Sequence, residues 1–212
     1  MNYEKRWNIF NALKNHIKEP KTELVYKNTF ELLIAVILSA QTTDIQVNRV
    51  TAKLFKIAPN PLKLSKLSLD KIESLINSIG LYKNKAKNIQ LTSSILITEY
   101  NGEVPYSRKE LESLPGVGRK TANVVLNTVF DQPVIAVDTH IFRLANRINL
   151  AQGKTPLEVE KKLTRLTPTE FLIDAHHLLI LHGRYVCKAQ NPGCSDCCIY
   201  DFCEYKKKLI KT

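Results

Sequence analysis

Four cysteines near the end of the chain could together hold a metal centre. Cys187, Cys194, Cys197 and Cys203 form a C-x6-C-x2-C-x5-C array, and Cys198 is the fifth cysteine of the sequence. A short irregular loop can bring four thiolates together, and all-cysteine sites bind either zinc or an iron-sulfur cluster. The spacing does not separate these two metals, nor does it decide whether Cys197 or Cys198 is a ligand.

A glycine turn followed by two basic residues could bind phosphate. Residues 114–128 read as the end of one helix, a tight turn and the start of another, with Gly116 and Gly118 supplying backbone freedom. The backbone N–H groups of such a turn point outward together beside Arg119 and Lys120, and a cluster of this kind binds phosphate. An ordinary turn between two helices would explain one glycine, but neither the second glycine nor the basic pair.

Helices must position these residues. Apolar residues recur at helical spacing and no stretch alternates with period two over strand length, which predicts an all-α protein of about ten helices. The run from Phe30 to Ala40 is apolar nearly all round, which is typical of a central buried helix. Pro59 and Pro61 should break the chain, and residues 134–137 should be extended. Capping residues predict helix starts at Asn28, Thr43 or Asp44, Ser68, Ser107, Asp138, Thr155 and Thr167.

Charge and composition narrow the class of protein. A net charge of +11 and a pI near 9.4 indicate a polyanionic partner, with nucleic acid as the first candidate and an anionic membrane surface as the second. The first residues do not form a secretory signal, and the longest apolar run, Leu32 to Leu38, is too short to span a bilayer. We therefore expect an intracellular monomer of the cytoplasm or nucleoid, without membrane attachment and with reduced thiols.

Taken in order, the turn, the cysteine array and four further segments resemble the endonuclease III family, the DNA glycosylases and AP lyases of the helix-hairpin-helix superfamily. The resemblance runs through nearly the whole chain. The segments that carry it are residues 39–44 (SAQTTD), 79–82 (IGLY), 114–122 (LPGVGRKTA), 135–143 (IAVDTHIFR), 181–184 (LHGR) and the cysteine array.

The resemblance implies two helical domains with a DNA-binding groove between them, a helix-hairpin-helix motif and a C-terminal iron-sulfur cluster loop. A six-helix domain of residues 22–132 would carry the hairpin, and residues 1–21 with 133–212 would form the cluster domain. One 4Fe-4S cluster would be held by Cys187, Cys194, Cys197 and Cys203, and Cys198 would not be a ligand.

The resemblance also implies the reaction. The enzyme would release oxidised pyrimidines such as thymine glycol from double-stranded DNA and cleave the abasic site on its 3′ side by β-elimination. Lys120 matches the family's nucleophile, and Asp138 matches the carboxylate that accepts or relays the proton of the attacking amine. A helix N-terminus and desolvation would both favour the neutral amine. Without the resemblance, Lys120 could equally be a phosphate-binding lysine and Asp138 only a helix cap.

Further residues are implied to contact DNA. Leu81 and Gln41 match the family's residues for filling the gap left by the extruded base and contacting the opposite base. Leu81 could instead pack back on the preceding helix, and Gln41 could satisfy backbone groups. Lys188 is the only basic residue between Cys187 and Cys194, where the family commonly has several. The remaining expected DNA contacts are Gly116, Val117, Gly118, Arg119, Lys85 and Lys188.

Histidines are expected to be structural rather than catalytic. His140 lies close in sequence to Asp138, whereas His176, His177 and His182 share one predicted helix. Two other functions remain open: a related adenine or mismatch glycosylase, and a non-catalytic helix-hairpin-helix DNA-binding protein. Against the adenine enzyme stand the presence of Lys120 and the short sequence that follows Cys203.

Overall fold

The computed structural model describes residues 1–208, and over this range the chain contains helices and no strands. Eleven α-helices and two 3-10 turns, at Thr169–Phe171 and Tyr200–Phe202, follow one another within residues 1–208. The predicted all-α fold class is therefore confirmed. The α-helices are α1 Tyr3–His16, α2 Thr29–Leu38, α3 Asp44–Ile57, α4 Pro61–Ser65, α5 Leu69–Ile76, α6 Tyr82–Tyr100, α7 Arg108–Ser113, α8 Arg119–Phe130, α9 Thr139–Arg147, α10 Pro156–Leu166 and α11 Leu172–Tyr185.

The chain divides into two compact units. One is Glu23–Phe130, and the other combines Met1–Thr22 with Asp131–Thr212, of which residues up to 208 are described. These boundaries lie within two residues of the predicted domain boundaries, and the assignment of a separate function to each domain stays a prediction. None of the helices within residues 1–208 is long and apolar enough to cross a membrane.

Helix α2 is the centre of the unit formed by residues 23–130. Every residue from Phe30 to Leu38 is buried, and α2 packs against α3, α6 and α8. The Asn28 side chain accepts a hydrogen bond from the Glu31 N–H, while Glu31 Oε2 accepts one from the Lys27 N–H at 2.7 Å. This reciprocal cap satisfies a buried carboxylate and fixes the start of the central helix.

The unit containing residues 1–22 and 131–208 has its own apolar core. Helix α11 packs against α1 and α9. Phe10 of α1 stacks on Phe171 with ring centroids 5.8 Å apart, and Trp7 meets the same ring edge-on. Burial of these large rings holds the N-terminal helix against the C-terminal part of the chain.

Most predicted helix caps are confirmed, and two features near prolines differ. The side chains of Asn28, Thr43, Ser68, Ser107, Asp138 and Thr155 all accept the expected N-terminal hydrogen bond. The predicted cap at Thr167 is wrong, because Thr167 ends α10 and a 3-10 turn separates Pro168 from α11. The predicted break at Pro59 and Pro61 is confirmed, because α3 ends at Ile57, but a short helix that was not predicted begins at Pro61. Asn60 caps a short helix in which Pro61 takes the first position, where its missing N–H costs nothing.

Candidate nucleic-acid interface and metal centre

The turn between α7 and α8 is packed tightly on its own unit at Gly116. This residue has φ +79°, and an added Cβ would lie 2.9 Å from Asn88 Nδ2 and 3.2 Å from Ile37 Cγ2. The hydroxyl of Thr92 also donates to the Pro115 carbonyl at 3.0 Å. Only glycine suits both the left-handed backbone and the close approach, so Gly116 serves the fold of the turn.

Gly118, two residues later, has a different environment. An added Cβ would meet nothing within 4 Å, and its backbone does not require glycine. Its carbonyl accepts a hydrogen bond from the Ala122 N–H at 2.9 Å, at the start of α8. The N–H groups of Lys120 and Thr121 come earlier in the helix, in the first turn, where backbone N–H groups have no acceptor within the helix. The absent side chain leaves the open face of the turn accessible, as the binding of a phosphate to these amides requires.

The side chains beside this open face differ in their exposure to solvent. Arg119 and Lys120 are exposed, whereas Val117 is buried and its N–H donates to the Leu114 carbonyl at 3.1 Å. Lys120 lies in the first turn of α8, as expected. The DNA contacts of Gly116, Val117, Gly118 and Arg119 stay predictions.

Gln41 and Leu81 lie at the exposed tips of two loops in the unit of residues 23–130. Both have a left-handed backbone, with φ 55° for Gln41 and φ 58° for Leu81. Leu81 is 61% exposed, so the alternative that it packs back on the preceding helix is wrong. An apolar side chain held outward in a backbone conformation that costs free energy is a candidate for contact with a ligand.

Lys85 corrects one expectation. Its side chain is buried, and Nζ donates to the Ala40 carbonyl at 2.7 Å and to Thr42 Oγ1 at 2.9 Å. Desolvation by burial lowers the pKa of Lys85. The predicted phosphate contact is therefore wrong for this lysine, whereas Lys188 is exposed and its phosphate contact stays a prediction.

Asp138 lies in the other unit, at the start of α9. Its Oδ1 accepts the N–H of Ile141 at 2.8 Å, so the carboxylate caps the helix as predicted. The side chain is half-buried. A cap of this kind uses one oxygen and holds the second in a fixed direction, which suits a carboxylate that handles a proton.

The cysteine loop follows α11 in the same unit as Asp138. Cys187, Cys194, Cys197 and Cys203 all line one open cavity, and Cys198 is not part of that lining. Within residues 1–208 no group of three or more Cys, His, Asp or Glu side chains could hold a single metal ion. Four cysteine thiolates of this kind hold either a zinc ion or an iron-sulfur cluster.

Burial controls the charge of these thiols. It raises the pKa of Cys197 to about 12, with neighbouring cysteines acting in the same direction and the Ile199 N–H opposing them. Burial likewise raises the pKa values of Cys198 and Cys203. Thiolate ligands in such a place need a cationic group to stabilise them.

Two arginines that the sequence analysis missed hold the start of the cysteine loop. Arg143 Nη2 donates to the carbonyls of Gly183 at 2.5 Å and Cys187 at 3.1 Å. Arg147 donates to Cys187 Sγ at 3.5 Å, to the Lys188 carbonyl at 2.6 Å and to the Ala189 carbonyl at 3.1 Å. Their spacing of four residues on α9 could have indicated a shared face, but not its partner.

The histidines have the structural environments that the sequence predicts. His176, His177 and His182 are all buried on α11. Desolvation by burial lowers the pKa values of His177 and His182 to about 4, so both rings are neutral at pH 7. His140 lies on α9, where its Nδ1 is 3.5 Å from Arg143 Nη2.

A helical hairpin with an open turn, a strongly basic chain and a cysteine-lined cavity are together typical of a DNA-binding protein of the helix-hairpin-helix class. The chain belongs to the HhH-GPD superfamily of base excision DNA repair proteins, which matches residues 34–169.

Known members of this superfamily are similar over the full length of the chain. Endonuclease III of Escherichia coli (strain K12) is 54% identical and covers 99% of each sequence. Endonuclease III of Haemophilus influenzae is 56% identical with the same coverage. The structure of a trapped endonuclease III–DNA covalent intermediate is 45% identical, with a TM-score of 0.90 over 97% of each chain. The resemblance to the endonuclease III family is thereby confirmed.

Proposed function

We propose that this chain releases oxidised pyrimidines such as thymine glycol from double-stranded DNA and cleaves the resulting abasic site by β-elimination through a Lys120 imine. The chain is a bifunctional base excision repair enzyme, a DNA glycosylase and AP lyase, and damaged DNA is its partner. One observation carries the assignment of the nucleophile: Lys120 is exposed in the first turn of α8, two residues after the open position Gly118.

The neutral Lys120 amine attacks C1′ of the damaged nucleotide. A C–N bond forms to the sugar as the bond to the base breaks, and the base takes a proton as it leaves. The attached nitrogen loses one proton, and the C1′–O4′ bond then breaks as O4′ takes up a proton, which opens the sugar and leaves a protonated imine at C1′. Removal of a C2′ proton then expels the 3′ phosphate, and hydrolysis of the imine returns the free lysine.

Asp138 handles protons and charge in this sequence. The carboxylate accepts or relays a proton of the attacking amine and stabilises positive charge that develops on the sugar. Its hydrogen bond to the Ile141 N–H limits the movement of the group without neutralising it. The same residue therefore combines the cap of α9 with a catalytic role.

The charge on Lys120 is the main obstacle to attack. The N-terminal end of α8 disfavours an ammonium, because the helix dipole is positive there. Since Lys120 is exposed, the required desolvation comes from bound DNA that covers the open turn. Binding of DNA would thus also favour the neutral, nucleophilic form of the Lys120 amine.

The extruded base leaves a gap in the duplex that protein side chains fill. Leu81 is apolar and exposed at a loop tip. Gln41 lies at the tip of another loop of the same unit, and its side-chain amide can donate and accept hydrogen bonds. We assign Leu81 to the gap itself and Gln41 to the opposite base. The N–H groups at the start of α8, together with Arg119, hold the phosphates.

The cysteine loop is assigned one 4Fe-4S cluster. Cys187, Cys194, Cys197 and Cys203 are its ligands because they share one cavity, and Cys198 is excluded because it does not line that cavity. When bound, such a cluster cross-links the loop and supplies a one-electron redox centre. Absorbance near 400 nm with stoichiometric iron supports this assignment, and a colourless protein that contains zinc contradicts it.

The cellular setting follows from the substrate. An enzyme that repairs genomic DNA works inside the cell, and we place it at the nucleoid as a monomer. Sedimentation of the protein alone and bound to a short damaged duplex tests the monomer.

Borohydride trapping tests the reaction and its nucleophile. The wild-type protein should form a covalent adduct with a duplex that contains an abasic site, because borohydride reduces the imine. Lys120→Ala should lose the adduct by at least about a thousandfold while still binding the duplex. Lys109→Ala removes another exposed lysine of the same hairpin and should leave the adduct unchanged.

Two outcomes contradict the proposal. An adduct that persists in Lys120→Ala would place the nucleophile elsewhere. No adduct with the wild-type protein, combined with tight binding of the duplex, would indicate a non-catalytic DNA-binding protein. Release of thymine glycol, compared with release of adenine from a mismatch, separates the proposed enzyme from the related glycosylases.

A further inference from the structure

The loops that carry Gln41 and Leu81 need support, because both residues have a left-handed backbone. Their φ angles are 55° and 58°, which an L side chain rarely adopts. Such conformations persist only where the surrounding structure determines them. The two loops belong to the same unit, so a contact between them can be described directly.

Lys85 contacts both loops. Its backbone N–H donates to the Leu81 carbonyl at 3.0 Å, as part of the first turn of α6. Its side chain crosses to the other loop, where Nζ donates to the Ala40 carbonyl at 2.7 Å and to Thr42 Oγ1 at 2.9 Å. The two acceptors flank Gln41 on either side. The bond to Leu81 is made by the backbone and those to Ala40 and Thr42 by the side chain, so the Lys85 side chain ties the start of α6, next to Leu81, to the loop of Gln41.

The burial of Lys85 shows that this link is built into the fold. Only 5% of the residue is exposed, and both of its side-chain acceptors are neutral oxygens rather than carboxylates. A buried ammonium is costly unless its donors are satisfied, so its position is determined by these acceptors. A second bridge lies nearby, where Gln46 Nε2 donates to Ser78 Oγ at 2.8 Å.

We propose that Lys85 is a positioning residue that holds Gln41 and Leu81 ready to fill the gap in the duplex. The inference rests on the proposed function, because it needs these two side chains to enter DNA. Loops that are already ordered lose less entropy when DNA binds, so their contacts contribute more to affinity. In this proposal Lys85 acts through the loop that accepts its hydrogen bonds at Ala40 and Thr42.

Binding to an abasic-site analogue tests the proposal without requiring catalysis. The probe is a duplex with one tetrahydrofuran nucleotide, compared with a single strand that carries the same nucleotide and therefore has no opposite base. Lys85→Met keeps the length of the side chain and removes its donors. We expect its affinity for the duplex to fall about tenfold and its affinity for the single strand to stay unchanged.

The matched control is Lys87→Met, which removes an exposed lysine from the same helix. Any effect of lost surface charge should be similar for the duplex and the single strand. A selective loss in Lys85→Met but not in Lys87→Met supports positioning. An equal loss on both probes in Lys85→Met overturns it.

A double-mutant cycle separates positioning from a general structural role. In a variant with Gln41→Ala and Leu81→Ala, the further change Lys85→Met should have no additional effect on duplex binding, because the side chains that it positions are absent. A full additive loss would overturn the proposal. This cycle measures coupling between the residues, which simple destabilisation does not produce.

Thr42→Val provides a second variant that removes one acceptor and keeps the shape of the side chain. We expect about a threefold loss on the duplex only. If Lys85→Met fails to fold, Thr42→Val tests the proposal in its place. Unchanged binding of the duplex by Thr42→Val would overturn the proposal. Failure of the proposed function gives a different result, because the wild-type protein then forms no borohydride adduct and binds the two probes without preference.

Discussion

The turn at residues 114–118 and the loop at residues 187–203 are both largely irregular, yet different interactions hold them. The turn is fixed by close packing, with Gly116 against Asn88 and Ile37. The loop is fixed at its start by hydrogen bonds from Arg143 and Arg147 to backbone carbonyls. Four of its cysteines line one cavity.

The turn is therefore a surface that packing forms in advance, whereas the cysteine loop would be cross-linked only by a bound group. Packing determines the turn whether or not DNA is present, so its amides are ready for phosphate. Four thiols that line a cavity could instead be cross-linked by a bound cluster. Variants can therefore be chosen to disturb one region and leave the other intact.

The largest effect is expected from Gly116→Ala. The change places a Cβ on a backbone with φ +79° and 2.9 Å from Asn88 Nδ2. Left-handed strain and overpacking together should lower the free energy of unfolding by about 3 kcal/mol. Urea unfolding measures the loss, and amide exchange should rise around α7 and α8. Wild-type stability in this variant would show that packing does not determine the turn.

A smaller effect is expected from Arg147→Met, which acts on the other region. The change removes hydrogen bonds to Lys188 and Ala189 and a cation–π contact with Tyr205, whose ring centroid is 5.1 Å away. We expect a loss of about 2 kcal/mol, because the bonds are charge-assisted but partly exposed.

Amide exchange and iron content locate the effect of Arg147→Met. Exchange should accelerate at residues 187–194 and iron should be lost more readily, while exchange in the hairpin stays unchanged. Arg165→Met removes an exposed arginine from the same unit and provides the control. Equal acceleration in the hairpin would break the contrast between the two regions.

Local sequence patterns predicted the helices well because their causes are local. Caps such as those at Asn28 and Ser107 depend on residues three positions apart. The short helix α4 was missed because proline both ends helices and begins them, and the cap at Asn60 is what starts a helix at Pro61. At Thr167 the sequence offers the same cap and proline, but α10 continues to Leu166, so Thr167 ends that helix instead of beginning the next.

The candidate site was less predictable, because its supports are distant in sequence. Lys85 resembles any surface lysine until its 2.7 Å hydrogen bond to Ala40, forty-five residues away, is known. The exposure of Lys120 and the burial of Val117 likewise depend on packing between helices. The sequence showed which residue types were present, whereas the fold decides which of them face solvent.

Gly118→Ala should have the smallest effect on stability and a clear effect on binding. Its Cβ would meet nothing within 4 Å, so we expect the free energy of unfolding to change by less than about 0.5 kcal/mol. The new methyl group would occupy the face from which a phosphate reaches the amides of α8. Affinity for the abasic duplex and the abasic single strand should both fall about tenfold, because both probes carry that phosphate.

Gly193→Ala places the same methyl group on the cysteine loop, where the nearest atom would be 3.8 Å away. Because this change is also sterically tolerated, it tests whether DNA approaches the two regions alike. We expect unchanged DNA affinity, measured by the same titrations. An equal loss in both variants would mean that DNA also approaches the loop closely, and the preformed surface would then extend beyond the hairpin.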